Sequence, residues 1–309
     1  LENELMNASE KILSLEKQIF LELRSQLASY LDYLLEIASV ISYVDVIACF
    51  AYSSQINGWV RPTVCNDDTF EVENGRHPVV EMHLASGQFI PNDVNLSEKK
   101  FALITGPNMA GKSTFMRQNA LIVLLAQIGS FVPASCARIG VVDKIFTRVG
   151  AVDDLSLGQS TFMVEMSETA KILHQATENS LVLMDEVGRG TSTEDGLSIA
   201  WAVSEYLLNT LQCKTLFATH YHELTRMAHK SLKLLCMAVS DNGNSVVFLR
   251  KVKEGASENS YGIHVARLAG IPDCVIARAT DILERLQQMA GEKPVLADNA
   301  AQLTTATVS

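Results

Sequence analysis

The run FALITGPNMAGKSTF, residues 101–115, decides how this chain folds. FALIT is apolar up to a closing threonine, the mark of a strand buried on both faces. GPNMAGKS, Gly106–Ser113, then fits G-x-x-x-x-G-K-[ST], and an amphipathic run follows it. Strand, glycine loop and helix in that order form a phosphate cradle: the glycines let backbone N–H groups turn inward, and the helix offers its positive end. Gly106, Pro107, Asn108, Met109, Ala110, Gly111, Lys112, Ser113 and Thr114 are therefore the candidate nucleotide-binding residues. Lys112 is expected on the β- and γ-phosphates of ATP and the Ser113 hydroxyl on Mg²⁺.

Two further strands extend the site. LVLMDE places Asp185 and Glu186 at the carboxyl end of an apolar run, the edge at which ligands bind in open α/β sheets. Asp185 is the second candidate Mg²⁺ ligand, and Glu186 the candidate group that orients and deprotonates an attacking water. A helix-capping turn is the plainer use of two adjacent carboxylates. KTLFATH ends in His220, whose neutral imidazole suits a γ-phosphate oxygen; a structural histidine is the plainer reading.

Around these strands the elements alternate. FALIT, a helix from Lys112 to about Gln127, KIFTRVG, a helix over 161–176, SLVLMDE, a helix from about Asp195 to Leu208 and KTLFATH predict a largely parallel sheet flanked by helices. CMAVSDNGNSVVFLRKV reads as a hairpin turning at Asp241–Asn244. YGIHVARLAG and PDCVIARATDILERLQQ read as two short helices broken at Gly270, with Pro272 suited to the first turn of the second. Upstream, Gly58, Pro62, Gly75, Pro78, Gly87 and Pro91 cut residues 58–100 into strands and turns, including TFEVENG and HPVVEMHL. From Leu1 to about Ser53, apolar residues recur at helical spacing through Leu5, Ile12, Ile19, Leu27, Leu34 and Ile41, predicting one long helix or two stacked ones. Such a helix serves either as part of a bundle or as a lever to upstream parts; the start inside a helical pattern predicts a longer protein. The tail after Gly291 lacks periodicity and is expected to be disordered. There is no internal repeat.

A net charge of −10 opposes unaided binding to a nucleic-acid backbone, because that affinity comes largely from clustered Lys and Arg. The six cysteines form no CxxC pair, which argues against a zinc site or a disulfide framework and favours a reducing, cytoplasmic setting. No uninterrupted apolar stretch reaches membrane-spanning length, and the polar, acidic start is no signal peptide.

The residues between the strands are more specific than the strands themselves. SLGQSTFMVEMSETAKIL, residues 156–173, stands where an ABC-type ATPase carries its signature, and DEVGRGTSTEDG follows the carboxylate strand. With TGPNMAGKST, FTRVGAVDDLSLGQSTFMVEM, FATHYHEL, SYGIHVARLAGIP and ENGRHPVVE, the chain closely resembles the ATPase domain of the MutS family of DNA mismatch-repair proteins, in its bacterial form, over residues 1 to about 287.

That resemblance implies an α/β, ABC-type P-loop ATPase over residues 56–255, preceded by a helical lever over 1–55 and followed by a helix-turn-helix over 256–290 that serves subunit contact. Residues 291–309 are the tail. It implies a homodimer in which the signature segment of each subunit completes the other's ATP site, with Ser160 approaching the opposite γ-phosphate. Ser160 by its chemistry alone is an ordinary N-cap. Asn108 resembles the family's γ-phosphate-sensing asparagine, though it could equally brace the loop. Phe89 resembles the aromatic that stacks on adenine, and a core phenylalanine is the competing reading. Arg250 stands near where the family can present a ring to the base; a solvated arginine is the plainer reading. Mismatched double-stranded DNA would be held by upstream domains, and a downstream repair ATPase would receive the signal. Membrane association is not expected.

Three other classes share parts of this pattern. Transporter engines and coiled-coil chromosome proteins carry an LSGGQ-like signature, whereas this chain has SLGQS; recombination-suppressing relatives carry a nuclease-like tail, and GEKPVLADNAAQLTTATVS offers none. A small-molecule kinase would phosphorylate an acceptor, and a nucleotide-binding scaffold would tolerate loss of Glu186.

Overall fold

The computed structural model describes residues 2–85, 87–149, 161–241, 246–257 and 261–291. In chain order the helices are α1 (Glu2–Ala28), α2 (Leu31–Asn57), α3 (Pro78–Met82), α4 (Lys112–Gln127), α5 (Thr161–Gln175), α6 (Thr193–Tyr206), α7 (Gly262–Leu268) and α8 (Asp273–Gly291). The strands are β1 (Thr63–Cys65), β2 (Phe70–Gly75), β3 (Asn92–Asn95), β4 (Phe101–Thr105), β5 (Cys136–Gly140), β6 (Ile145–Arg148), β7 (Leu181–Asp185), β8 (Lys214–Ala218), β9 (Leu232–Asp241) and β10 (Val246–Glu254). They fall into two compact units, Leu1–Asn95 with Gln118–Val141 and Leu96–Arg117 with Val142–Ser309. Expectations for the signature residues 156–160, for most of the hairpin turn and for the tail past Gly291 lie outside the described residues.

In the first unit the N-terminal periodicity becomes two helices, parted at Ser29–Tyr30, where the Tyr30 N–H bonds back to the Leu27 carbonyl. α2 ends at Gly58, whose left-handed φ of +58° lets its N–H return to the Ser54 carbonyl. The periodic apolar residues Ile12, Ile19, Leu27, Leu34 and Ile41 all lie exposed. No apolar stretch runs uninterrupted over a membrane-spanning length, yet α2 is 27 residues long and its most apolar window has a mean hydropathy of 1.9. Residues 38–44 and 46–52 are uncharged, and only Asp45 divides them. A helix that belongs to a protein core passes the same test of length and composition.

The same unit holds a four-stranded sheet in the order β1-β5-β2-β3, in which β1 and β5 are parallel and the remaining pairs antiparallel. TFEVENG forms its strand as expected, but PVVEM within HPVVEMHL is helical, as α3. Pro78 fixes the first-turn φ, and His77 caps the turn by accepting the Val80 N–H at Nδ1, 3.3 Å away.

The second unit is built on a six-stranded sheet, β10-β9-β4-β8-β7-β6, parallel from β9 to β6 and closed by the antiparallel β10. β4 and β8 are buried at every residue, and β7 at every residue but its last, Asp185. Continuous apolar runs, rather than alternating ones, follow from covering both faces. On one face Phe101, Leu103, Val182, Met184 and Phe217 pack with Ile172 of α5 and Ala200 and Val203 of α6, and the Phe101 and Phe217 rings stack at 5.8 Å. α6 runs on into one π turn, Leu207–Leu211, closed by Gln212 in the left-handed region. β10 bulges between Phe248 and Val252, where exposed Arg250 takes a φ of +53°. The last two helices break at Gly270, φ +87°, but α8 is 19 residues long rather than short.

Candidate functional site

Strand register assembles the site. Ile104 and Asp185 both pair with Ala218, so β4, β8 and β7 end in one row. The Thr219 N–H reaches the Ile104 carbonyl at 3.0 Å and the Glu186 N–H reaches the Ala218 carbonyl at 2.9 Å, carrying the row one residue past the strands. The phosphate loop, the carboxylate turn and His220 thus leave the same edge of the sheet.

The loop Gly106–Gly111 joins β4 to α4. Gly106 takes a φ of +129°, and a Cβ there would lie 3.0 Å from Cβ of Met237 on β9, so glycine is required both by conformation and by space. Met109 is also left-handed, φ +69°, and exposed at the loop's tip. The Lys112 side chain is buried under the loop, where Nζ donates to the carbonyls of Gly106 (2.7 Å) and Pro107 (3.2 Å) and to Oδ1 of Asn108 (3.2 Å). The Ser113 hydroxyl donates to Oδ2 of Asp185, and Glu186 Oε1 stands 3.9 Å from Lys112 Nζ, at the outer limit of ion pairing. Arg189 Nη1 meets the other Glu186 oxygen at 2.7 Å.

Together these residues border a cavity of about 840 Å³, of a size that takes a nucleotide. Pro107, Asn108, Met109, Gly111, Lys112, Ser113 and Thr114 form one wall, and Asp185 and Glu186 another. Gly106 contributes its carbonyl to Lys112, and Ala110 is fully buried behind the loop. Burial pushes the Lys112 ammonium below its ordinary pKa, opposed by Glu186 and Asp185. Burial also raises Asp185 above the usual carboxylate range, opposed by the Ser113 hydrogen bond. Each shift marks a charge held where an opposite charge would be welcome. His220 follows β8 by two residues with its ring 4.0 Å from that of Tyr221; partial burial lowers its pKa, and Glu186 opposes this.

Phe89 is half-buried in the first unit, in the loop between α3 and β3. Ser160 lies outside the described residues, immediately before α5.

Sequence reading missed Arg117, Arg148, Thr161, Glu165, Arg189 and Gly190, which also border the cavity. Two of them carried a readable signal. Arg148 ends strand β6 as Asp185 ends β7, so a charged residue closing an apolar strand was visible. Glu165 heads the buried stripe Glu165, Thr169, Ile172 of α5, whose spacing of four and three puts a carboxylate where only core residues are expected.

Known proteins resemble this chain over most of its length. A family model described as MutS domain V matches residues 102–287. The DNA mismatch repair protein MutS of Treponema pallidum (strain Nichols) is 55% identical over 300 residues, covering 95% of this chain and 33% of that protein. That of Syntrophomonas wolfei is 54% identical over 297 residues, covering 95% and 35%. That of Clostridium perfringens is 55% identical over 293 residues, covering 93% and 32%. The chain spans about a third of the length of the curated relatives it matches.

Proposed function

The chain belongs to the MutS family, and from that premise we propose that it is the ATP-binding and ATP-hydrolysing part of a DNA mismatch-repair protein. The observation that carries this reading is the meeting of Lys112, Ser113, Asp185 and Glu186 around one cavity at the carboxyl edge of a parallel sheet. Lys112 now bonds loop carbonyls; on ATP binding it turns its ammonium to the β- and γ-phosphate oxygens, which neutralise it better. Backbone N–H groups of the loop and the start of α4 take the remaining phosphate charge.

A serine hydroxyl already bonded to a half-buried carboxylate is a pair of hard oxygen donors, which fits Mg²⁺. The described residues hold no cluster of three or more His, Cys, Asp or Glu, and Mg²⁺ needs none, because it keeps waters and takes phosphate oxygens. Bound by Ser113 and Asp185, the ion would neutralise charge on the phosphates. Glu186 then aligns the attacking water and accepts its proton, while Asn108 and His220 respond to the γ-phosphate.

In the same reading Ser160 completes the ATP site of a partner subunit, so that ATP favours a closed homodimer and hydrolysis loosens it. Phe89 stacks on adenine, α7 and α8 serve subunit contact, and α1 and α2 pass the change to upstream DNA-holding parts. A differential affinity for the γ-phosphate is the only free energy the switch can use. The acidic charge balance agrees with DNA being held elsewhere. Cytoplasmic location, and a signal passed to a downstream repair ATPase, belong to this proposal.

The test is the Glu186→Gln chain with Mg²⁺, followed by nucleotide binding, phosphate release and sedimentation in ATP and then ADP. The expected result is retained ATP binding, abolished hydrolysis, and dimers in ATP that dissociate in ADP. Unchanged turnover would sink the assignment of Glu186, and phosphate passed to an acceptor other than water would make the protein a kinase.

A further inference from the structure

We propose that Glu165 is a positioning residue for Glu186: its buried carboxylate, neutralised by Arg148, holds the turn from Glu186 to Gly188 so that Glu186 faces the phosphate loop. The proposal rests on the hydrolytic reading above and adds to it a residue that acts through the backbone of the Glu186 turn.

Glu165 stands one turn into α5 with 4% of its surface exposed, and Arg148 ends β6 with 5% exposed. A carboxylate in such a place is costly unless each oxygen is matched. Here the two oxygens do different work. Oε2 lies 3.3 Å from Arg148 Nη2, while Oε1 accepts the backbone N–H of Gly188. Arg148 Nε also lies 3.1 Å from Oε2 of Glu168 on the next turn of α5, an ion pair without hydrogen-bond geometry. An apolar pair of similar volume fills a core at least as well as a buried ion pair does, so packing alone does not account for these charges.

Gly188 is where the carboxylate acts. Its φ is +89°, and a Cβ would lie 2.5 Å from the Gly196 carbonyl oxygen, so this backbone can belong only to glycine. Its carbonyl accepts the Tyr221 hydroxyl at 2.9 Å. Two residues earlier Glu186 takes a φ of +53°, a conformation that costs any residue with a Cβ and persists only where the surroundings impose it. They impose it at both ends: the Glu186 N–H is held by β8 and the Gly188 peptide by Glu165 and Tyr221, with Val187 fully buried between. Glu165 is therefore one of three pins on the turn that aims Glu186. Its hydrogen bond goes to Gly188 and its ion pair to Arg148 rather than to Lys112 or Ser113, so removing it should slow hydrolysis through the turn even when ATP is saturating.

The experiment compares the wild-type chain with Glu186→Gln, Glu165→Gln and the double variant Arg148→Met/Glu165→Met. For each, the ATP dissociation constant with Mg²⁺, the single-turnover hydrolysis rate and the cooperativity of thermal unfolding are measured. Glu165→Gln keeps an oxygen for Gly188 but leaves Arg148 poorly neutralised, and a drop of about tenfold in rate is expected. The double variant removes both charges and leaves the Gly188 N–H without its acceptor; displacement of the turn by about 1 Å corresponds to roughly a hundredfold loss. Its unfolding should stay cooperative, since apolar replacement of a buried pair is tolerated, and its rate is read at saturating ATP because both residues border the cavity. A double variant that hydrolyses like wild type, or that loses ATP binding and cooperative unfolding together, overturns the positioning role. A wild-type chain no faster than Glu186→Gln overturns the hydrolytic reading itself, and the positioning role with it.

Discussion

The carboxyl edge of the six-stranded sheet and the helix pair α1–α2 are both written in apolar sequence, and they use it in opposite ways. In β4, β7 and β8 nearly every side chain is buried, the Val, Leu, Ile, Phe and Met side chains each contributing about 1.5–3 kcal/mol on leaving water, and the strands end in one row. In α1 and α2 the periodic apolar side chains stay exposed, so little of that free energy is gained within this chain. Apolar composition thus marks surface meant to be covered, whereas register decides where chemistry can sit.

The comparison breaks most visibly at the edge itself. Glu186→Gln should lower hydrolysis by about 10²–10⁴-fold, the usual contribution of a general base, with ATP binding retained in an equilibrium titration. Behind the edge, Phe217→Ala should destabilise the chain by about 3–5 kcal/mol in denaturant titration, because the cavity opens beside the stacked Phe101 in a sheet with no slack on either face. Lys112→Ala should weaken ATP binding roughly 10–100-fold, as expected for charge-assisted hydrogen bonds of about 1.5–3 kcal/mol. Retained tight binding in that variant would count against the phosphate-loop reading.

How much of this was legible in the sequence follows from how local each signal is. FALIT, LVLMDE and KTLFATH carry their strand assignment in continuous apolarity, and Gly106, Lys112 and Ser113 carry theirs in fixed spacing, so the sheet and the loop could be read directly. PVVEM could not, because its helix depends on the His77 cap rather than on any run of helix formers. Glu165 and Arg148 each stood out locally as a charge in an apolar place, but that the two pair is a contact between elements 17 residues apart, and the pairing is what local pattern does not record. The status of α1–α2 was legible as helix but not as exposed surface: periodicity states which face is apolar and says nothing of what covers it.

Ile41 of α2 is 62% exposed, so Ile41→Ala removes almost no buried area, and alanine is the better helix former. The expected change in unfolding free energy is within about 0.5 kcal/mol, in contrast to Phe217→Ala. The measurement is a denaturant titration at two protein concentrations an order of magnitude apart. A loss of 2 kcal/mol or more that grows with concentration would mean a second copy of the chain covers α2 in solution, because only association makes stability depend on concentration. A loss of that size independent of concentration would mean Ile41 is packed within its own chain, and the contrast between the two regions would then fail at its weaker side. Only the small, concentration-independent change leaves α2 as an apolar face held open, in contrast to the strands of the six-stranded sheet, which are covered on both faces.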